Sequence, residues 1–432
     1  MSYRRALWAA CAALFCAALA LSSCANGEKS VALRREQLFT LTYGPAEDQL
    51  DLFQLDSGSS PLKTRIAMRE GIFYIANGNS AKVVRYSSFG DVLSMIYNAD
   101  KNPEPVILKA SPSKTNGVAS TGAAPSPPDL GSGRRAVAYP FRSVGEIAVD
   151  SNQRIYVEDR LPLERRVEDK DSGDMLDYVV LRFDKDGQFI DYLGQEGIGG
   201  TPFPYIIGVY VTPSDDCVVV SATQDSWMVH WFDSRGTVIS GLRLRRDALP
   251  MPDKGSDLIA SLDKIVPDPL GRSLLIKIDY YRETVDPETK SASGIEFASS
   301  WVFRMNPRDA SYSERWQIPD IERTVKNGPS GAAVRDVRIP ELIGAAGNAL
   351  FLMTGDDAGK TYLSTFDRTT HAMTRYSIEI APDEQYYNAF TLSKEGILCA
   401  LLGTRYEARI VWWRFDKVVK GLDTGSDTSA SK

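Results

Sequence analysis

The chain reads as all-β: a six-bladed β-propeller of four-stranded antiparallel blades, closed by an amino-terminal strand. Three observations predict it. One short motif recurs six times, and a second element, a turn followed by an apolar strand, lies upstream of each copy. Beyond the amino terminus, no long window sustains apolar residues at the three- and four-residue spacing of a helix.

The motif is an aliphatic run, an aromatic, then Asp or Ser and a turn. It reads Val83-Val84-Arg85-Tyr86-Ser87, Val180-Leu181-Arg182-Phe183-Asp184 and His230-Trp231-Phe232-Asp233. A degraded copy follows at Trp301-Val302-Phe303-Arg304-Met305-Asn306. The last two are Ser364-Thr365-Phe366-Asp367 and Trp412-Trp413-Arg414-Phe415-Asp416. Upstream strands include Ile72-Phe73-Tyr74-Ile75, Ile155-Tyr156-Val157, Cys217-Val218-Val219-Val220, Leu274-Leu275-Ile276, Leu350-Phe351-Leu352 and Ile397-Leu398-Cys399. Asp, Asn, Ser and Gly supply tight turns, while β-branched and aromatic residues fill a pleated, half-buried surface. Each unit is thus one antiparallel sheet, and sheets that cannot bury both faces alone stack radially.

The sixth copy ends near Val419 with no fourth strand after it. Gln37-Leu38-Phe39-Thr40-Leu41-Thr42-Tyr43 has the alternation to supply that strand, so the propeller is expected over 37–419. Residues 420–432, rich in Ser, Thr, Asp and Gly, are expected to be a disordered tail.

Long segments fall at 99–137, which is Pro/Ser/Gly-rich, and at 158–175, 279–299 and 320–333. In an up-down-up-down blade, the blade-to-blade connections and the middle loops emerge on one side. All four segments are therefore expected on one face, a candidate interaction surface. Aromatic and charged residues gather at the adjoining strand ends: Tyr139, Phe141, Arg142, Glu158, Asp159, Arg160, Phe203, Tyr205, Tyr280, Tyr281, Arg282, Tyr386 and Tyr387. Tyr and Arg are favoured anchors of recognition surfaces, although aromatics at blade ends also pack between neighbouring sheets.

The amino terminus has the layout of an export signal. Arg4 and Arg5 precede an Ala/Leu-rich apolar run, which ends in Leu21-Ser22-Ser23-Cys24. The spacing resembles a bacterial lipobox, which implies a signal over 1–23, lipidation of Cys24 and a tether over 24–36. Loss of Arg4 and Arg5 from the 50 basic residues leaves 48 against 56 acidic ones. Such a mildly acidic chain is a poor candidate for nucleic acid. Cys217 and Cys399 sit inside separate apolar strands and are expected to be free, buried thiols.

Catalytic signatures are sparse. Two histidines, His230 and His371, cannot build a multi-histidine metal centre. There is no Cys-x-x-Cys, His-Glu-x-x-His or Gly-x-Ser-x-Gly, and Glu196-Gly197-Ile198-Gly199-Gly200-Thr201 lacks the helix of a nucleotide loop. No cofactor is expected, and no catalytic or metal-ligating residue is assigned. Asp356-Asp357 with Glu158 and Asp159 are the carboxylates from which a Ca²⁺ or lactonase-like site could be built; solvated acidic turns are the plainer account.

The pairing of Ile147-Ala148-Val149-Asp150 and Ile155-Tyr156-Val157 with Val180-Leu181-Arg182-Phe183-Asp184 and Gly187 resembles an NHL-type β-propeller repeat. Signal plus repeats is similar to exported propeller lipoproteins of bacteria, spirochaetal ones included. The resemblance spans roughly 65–417; the second blade matches closely and the fourth departs. It implies the fold and says little of function. The expected role is a membrane-anchored lipoprotein of the cell envelope, at the outer membrane by family analogy, binding a protein or peptide. The alternative is an envelope hydrolase or lactonase with a divalent metal at the central mouth.

Overall fold

In a computed structural model, residues 30–53, 62–111, 134–170, 173–194, 200–286, 289–325, 334–420 and 422 are described. They form six small sheets in a ring, a six-bladed β-propeller. From the axis outward, blade 1 is Thr64–Arg69, Ile72–Asn77, Lys82–Tyr86 and Val92–Tyr97. Blade 2 is Ile147–Val149, Ile155–Arg160, Tyr178–Phe183 and Phe189–Tyr192, and blade 3 is Tyr205–Val211, Cys217–Ala222, Ser226–Phe232 and Val238–Arg245. Blade 4 is Leu258–Pro267, Leu274–Val285, Ala292–Met305 and Tyr312–Ile318, and blade 5 is Glu341–Ala346, Ala349–Gly355, Thr361–Asp367 and Met373–Ile378. Blade 6 has Tyr387–Leu392, Ile397–Gly403 and Glu407–Arg414, with Arg35–Thr42 as its outermost strand.

The recurrent motif has a physical cause. Its aromatic stands at or next to the end of the third strand of each blade and is buried: Tyr86, Phe183, Phe232, Phe366 and Phe415, with Met305 in blade 4. In blades 1 to 4 the pairing register shifts at this residue. The next side chain then caps the turn. Asp184 accepts the backbone N–H groups of Asp186 and Gln188 at 2.9 and 2.8 Å, and Asp233 those of Arg235 and Thr237 at 2.9 Å each. Gly187 and Gly236 close these turns with φ of 79° and 92°, where an L side chain is strained.

The core is divided among the spaces between blades. Blades 1 and 2 bury Tyr74, Phe141 and Phe183; blades 3 and 4 bury Trp231, Ile276 and Tyr280. The closing strand puts Phe39 and Leu41 between blades 6 and 1, against Phe73 and Tyr86. Cys217 and Cys399 are buried and free in two different spaces, as the sequence suggested.

The closing strand is the one expected, and the pairing starts earlier. Arg35–Thr42 runs antiparallel to Glu407–Arg414, and Val31–Ala32 lies parallel to Tyr376–Ser377 of blade 5. The last part of the expected tether is therefore built into two sheets. A latch holds the crossing: Arg35 donates twice to Glu384 at 2.5 Å, and Arg409 and the Ala381 N–H add bonds of 2.9 Å each. Burial works to raise the Glu384 pKa, but these donors outweigh it and hold it down at about 2. At the other end Leu422 is buried with Phe351 and Trp413, so the ring extends past the expected start of the tail. The signal, Cys24 and almost all of the tail lie outside the described residues.

Candidate functional site

We call the side carrying the blade-to-blade connections and middle loops the upper rim; the short turns form the lower one. Three of the four long segments decorate the upper rim. The blade 2 insertion at 161–177 holds a short 3-10 turn, Leu163–Arg165, and a two-stranded hairpin pairing Val167–Glu168 with Met175–Leu176. The blade 4 segment is not the loop expected over 279–299. Its strands continue as a long hairpin, with Tyr281 opposite Phe297 and Arg282 opposite Glu296. A third hairpin, Ile321–Val325 with Val334–Arg338, joins blades 4 and 5.

The first segment departs from expectation. Arg135–Ala138 folds back parallel to Ser94–Tyr97, and Lys109–Ser111 pairs beside it. These described ends of 99–137 thus widen blade 1 outward instead of standing on the rim; 112–133 lie outside the described residues.

The inner strands surround a channel of about 570 Å³. At its upper mouth they place Arg65 in blade 1, Glu146 just before the inner strand of blade 2, Lys264 in blade 4 and Glu341 in blade 5. Lys63 stands beside Arg65 and organises the mouth. Its ammonium donates to both Glu158 oxygens at 3.0 and 2.9 Å and to the Ile206 carbonyl at 2.6 Å, and lies 3.6 Å from Glu146. It also faces the Tyr205 ring at 4.3 Å. Arg65 donates to Glu146 at 2.9 Å and to the Tyr387 hydroxyl at 3.4 Å. Tyr387 in turn donates to the Thr64 carbonyl at 2.5 Å. Across the channel, Lys264 and Glu341 are 3.5 Å apart. A second network lies in blade 4, where fully buried Lys277 donates to Asp279 at 2.7 Å and approaches Asp263 at 3.2 Å.

Burial governs the acids here. Glu158 is pushed up to about 6, against the pull of Lys63; Asp159 is pushed up to about 6, against the Ser143, Arg160 and Arg142 N–H groups. Desolvation alone would lower Lys63, but Glu158 and Glu146 leave it above its ordinary value.

The thirteen residues singled out from sequence separate into three sets. Glu158, Tyr205 and Tyr387 meet at the mouth. Tyr139, Phe141, Phe203 and Tyr280 are buried between blades: Tyr139 and Phe141 against Phe183, Phe203 against His230 and Phe232, and Tyr280 with its hydroxyl donating to the Pro250 carbonyl. For these four, side-chain direction corrects the sequence reading, because each faces the neighbouring sheet. Buried Asp159 is likewise structural, accepting the Arg142 and Ser143 N–H groups at 3.0 and 2.7 Å. The rest stand on the rim: exposed Arg142, Arg160 bonded to Asp177 at 3.0 Å, Tyr281 and Arg282 on the long hairpin, and half-exposed Tyr386 accepting from Arg405 at 2.7 Å. Lys63, Arg65, Glu146, Lys264 and Glu341 were missed; for Lys63, Arg65, Glu146 and Glu341 the signal is a charge at or just before the head of an inner strand, and for Lys264 a charge within one.

Among the described residues, no three His, Cys, Asp or Glu side chains converge as metal ligands. Glu146 and Glu158 are taken up by Lys63 and Arg65. Asp356 caps its turn through the Ala358 and Lys360 N–H groups at 3.0 and 2.8 Å, and Asp357 pairs with Arg338.

No family model and no curated protein matches the chain. Among solved structures it is similar to the β-propeller domain of the trilobed protease from Pyrococcus furiosus: TM-score 0.39, 7% identity, 82% of this chain and 96% of that one. It is also similar to a PL25 ulvan lyase bound to its saccharide (0.36, 11%, 88% and 83%) and to dihydro-heme d1 dehydrogenase in complex with DHE (0.35, 11%, 89% and 72%). Their activities and ligands do not transfer to this chain. Fold and site together define a six-bladed propeller with a charged upper mouth and a decorated upper rim.

Proposed function

We propose that the protein is a membrane-tethered binding or scaffolding module of the cell envelope, anchored by a lipid on Cys24, in an NHL-type propeller. Its upper rim grips a protein or peptide partner. The observation that carries this reading is the clustering of three folded insertions on one rim, above sheets whose lower turns are short. Exposed apolar side chains sit on them: Leu163, Val167 and Met175 on the blade 2 insertion, Val285 and Ile295 on the long hairpin. Loops and hairpins held by a rigid ring are suited to recognition, and their exposed apolar residues suit a desolvated contact.

The test is cross-linking in intact cells from a photoreactive residue at Arg282 or Met175, with the same group at Thr370 on the lower rim as control. A discrete adduct from the upper positions alone is expected, lost when 161–177 and 284–293 are replaced by short turns in a protein that still folds. Equal adducts from Thr370, or capture that survives the replacement, would refute the assignment. Separately, Cys24→Ser should release the protein from the membrane fraction; unchanged membrane association would refute the anchor.

A further inference from the structure

The cations lining the channel are not all balanced alike. Arg65 and Lys264 have carboxylates at 2.9 and 3.5 Å. Arg69, at the lower end of the same inner strand as Arg65, lines the channel too. Its side chain is only 11% exposed, and its nearest carboxylate is the adjacent Glu70 at 3.7 Å, itself 58% exposed. The guanidinium makes no hydrogen bond with any described residue, and its Nε is buried without an acceptor.

Beside it, behind the channel wall, the Tyr74 hydroxyl and the Arg85 Nε are also buried without acceptors, although the other Arg85 nitrogens donate to the Lys185 carbonyl at 3.1 Å and to Gln153 at 2.6 Å. Tyr74 pairs with Ala67 on one side and Arg85 on the other, while Arg69 pairs with Ile72. The three side chains therefore occupy neighbouring positions on one face of blade 1. Asp150, the carboxylate that this face meets in blade 2, is already committed to Arg154 and to the Asn152 N–H. Buried donors left unpaired are costly, a guanidinium above all. A water could serve one or two of them but would not balance the charge.

We propose that the central channel binds a small organic molecule with a terminal oxyanion, carboxylate or phosphate, and that Arg69 holds that group. Lys394 of blade 6 lines the same lower end but stands 3.8 Å from Glu395, so Arg69 is the cation that carries the site. The volume of about 570 Å³ suits a compact metabolite. Higher in the channel the Tyr210 ring lies across Gly208, where an added Cβ would meet its hydroxyl at 2.6 Å, so glycine there keeps the phenol turned along the wall. This site is independent of the upper rim and of any protein partner.

The experiment is thermal unfolding and calorimetric titration of the purified full chain in detergent and low salt. The probes are succinate, inorganic phosphate and, as the uncharged analogue of succinate, 1,4-butanediol. Succinate or phosphate should stabilise the wild type saturably, and butanediol should not. Arg69→Gln should weaken that response at least about tenfold, the loss of one charge-assisted hydrogen-bond pair. Arg235→Gln, a lower-rim cation 84% exposed, should leave it unchanged. If Arg69→Gln does not fold, Arg69→Lys keeps the charge without the guanidinium fork and should still bind more weakly. No response to either anion in the wild type, or wild-type affinity in the Arg69 variants, would overturn the proposal.

Discussion

Replacing Phe39 by alanine tests the closure at its most loaded point. Phe39 belongs to the strand that completes blade 6, yet its ring reaches blade 1, with centroids 5.7 Å from both Phe73 and Tyr86, and it is 8% exposed. Truncating a buried Phe costs about 3–5 kcal/mol, the loss of transfer energy plus the cavity left behind. The backbone ladder to Glu407–Arg414 survives the change, so the loss reports side-chain packing between the last blade and the first. With an unfolding entropy of about 2.1 cal/mol/K per residue, a cooperative ring of ~390 residues loses roughly 4–6 °C in midpoint. Phe89→Ala is the control: that ring is 86% exposed, and its removal should stay within about 0.5 kcal/mol. Differential scanning calorimetry of both variants decides. A Phe39→Ala midpoint indistinguishable from that of Phe89→Ala would mean that the amino-terminal strand decorates the ring without holding it shut.

Glu384→Gln should cost about 3 kcal/mol at pH 7, because it leaves Arg35 largely buried without its counter-charge. Since the folded-state pKa of about 2 lies below the ordinary 4.5, the carboxylate stabilises fully above pH 4.5 and loses its effect as pH falls toward 2; urea midpoints of wild type and variant should converge at low pH. Glu158 titrates in the opposite sense. Its folded pKa of about 6 lies above 4.5, so its contribution is complete below pH 4.5 and is lost as pH rises through 6. Glu158→Gln should reduce the pH slope of stability in that window, with Asp159, Asp51 and Asp279, also raised by burial, contributing the rest; an unchanged slope would contradict the assignment. Finally, Tyr280→Ala should destabilise by about 3–5 kcal/mol, whereas Tyr281→Ala should cost less than about 1.5 kcal/mol by the same unfolding assay and instead weaken partner cross-linking at the rim.

The ring was legible because each blade repeats a local rule. An aromatic at a register shift followed by a turn-capping Asp or Ser leaves a mark in the chain, and even blade 4, with Met305 and Asn306, keeps its shape. Closure was legible for a different reason: an alternating strand stood unclaimed at one end where a strand was missing at the other. The site was harder to read. Whether Tyr280 or Tyr281 faces a neighbouring sheet depends on one step of strand register, which a run of adjacent aromatics does not betray. The mouth brings together Lys63, Glu146, Glu158, Tyr205 and Tyr387 from four blades, and no local pattern records that meeting. The fold-back of Arg135–Ala138 was hidden because a four-residue strand between long irregular stretches has no periodicity to detect.

Because Arg35 pairs with Trp413, the first strand of the ring to be synthesised is the last to find its place. A nascent chain leaving the ribosome would have to keep that segment unclaimed while five blades form behind it. The final blade meanwhile presents an open edge to any other β-strand nearby. Assembly therefore ends in a single long-range event, and chaperone attendance, domain exchange between copies or aggregation should be decided in the interval before it.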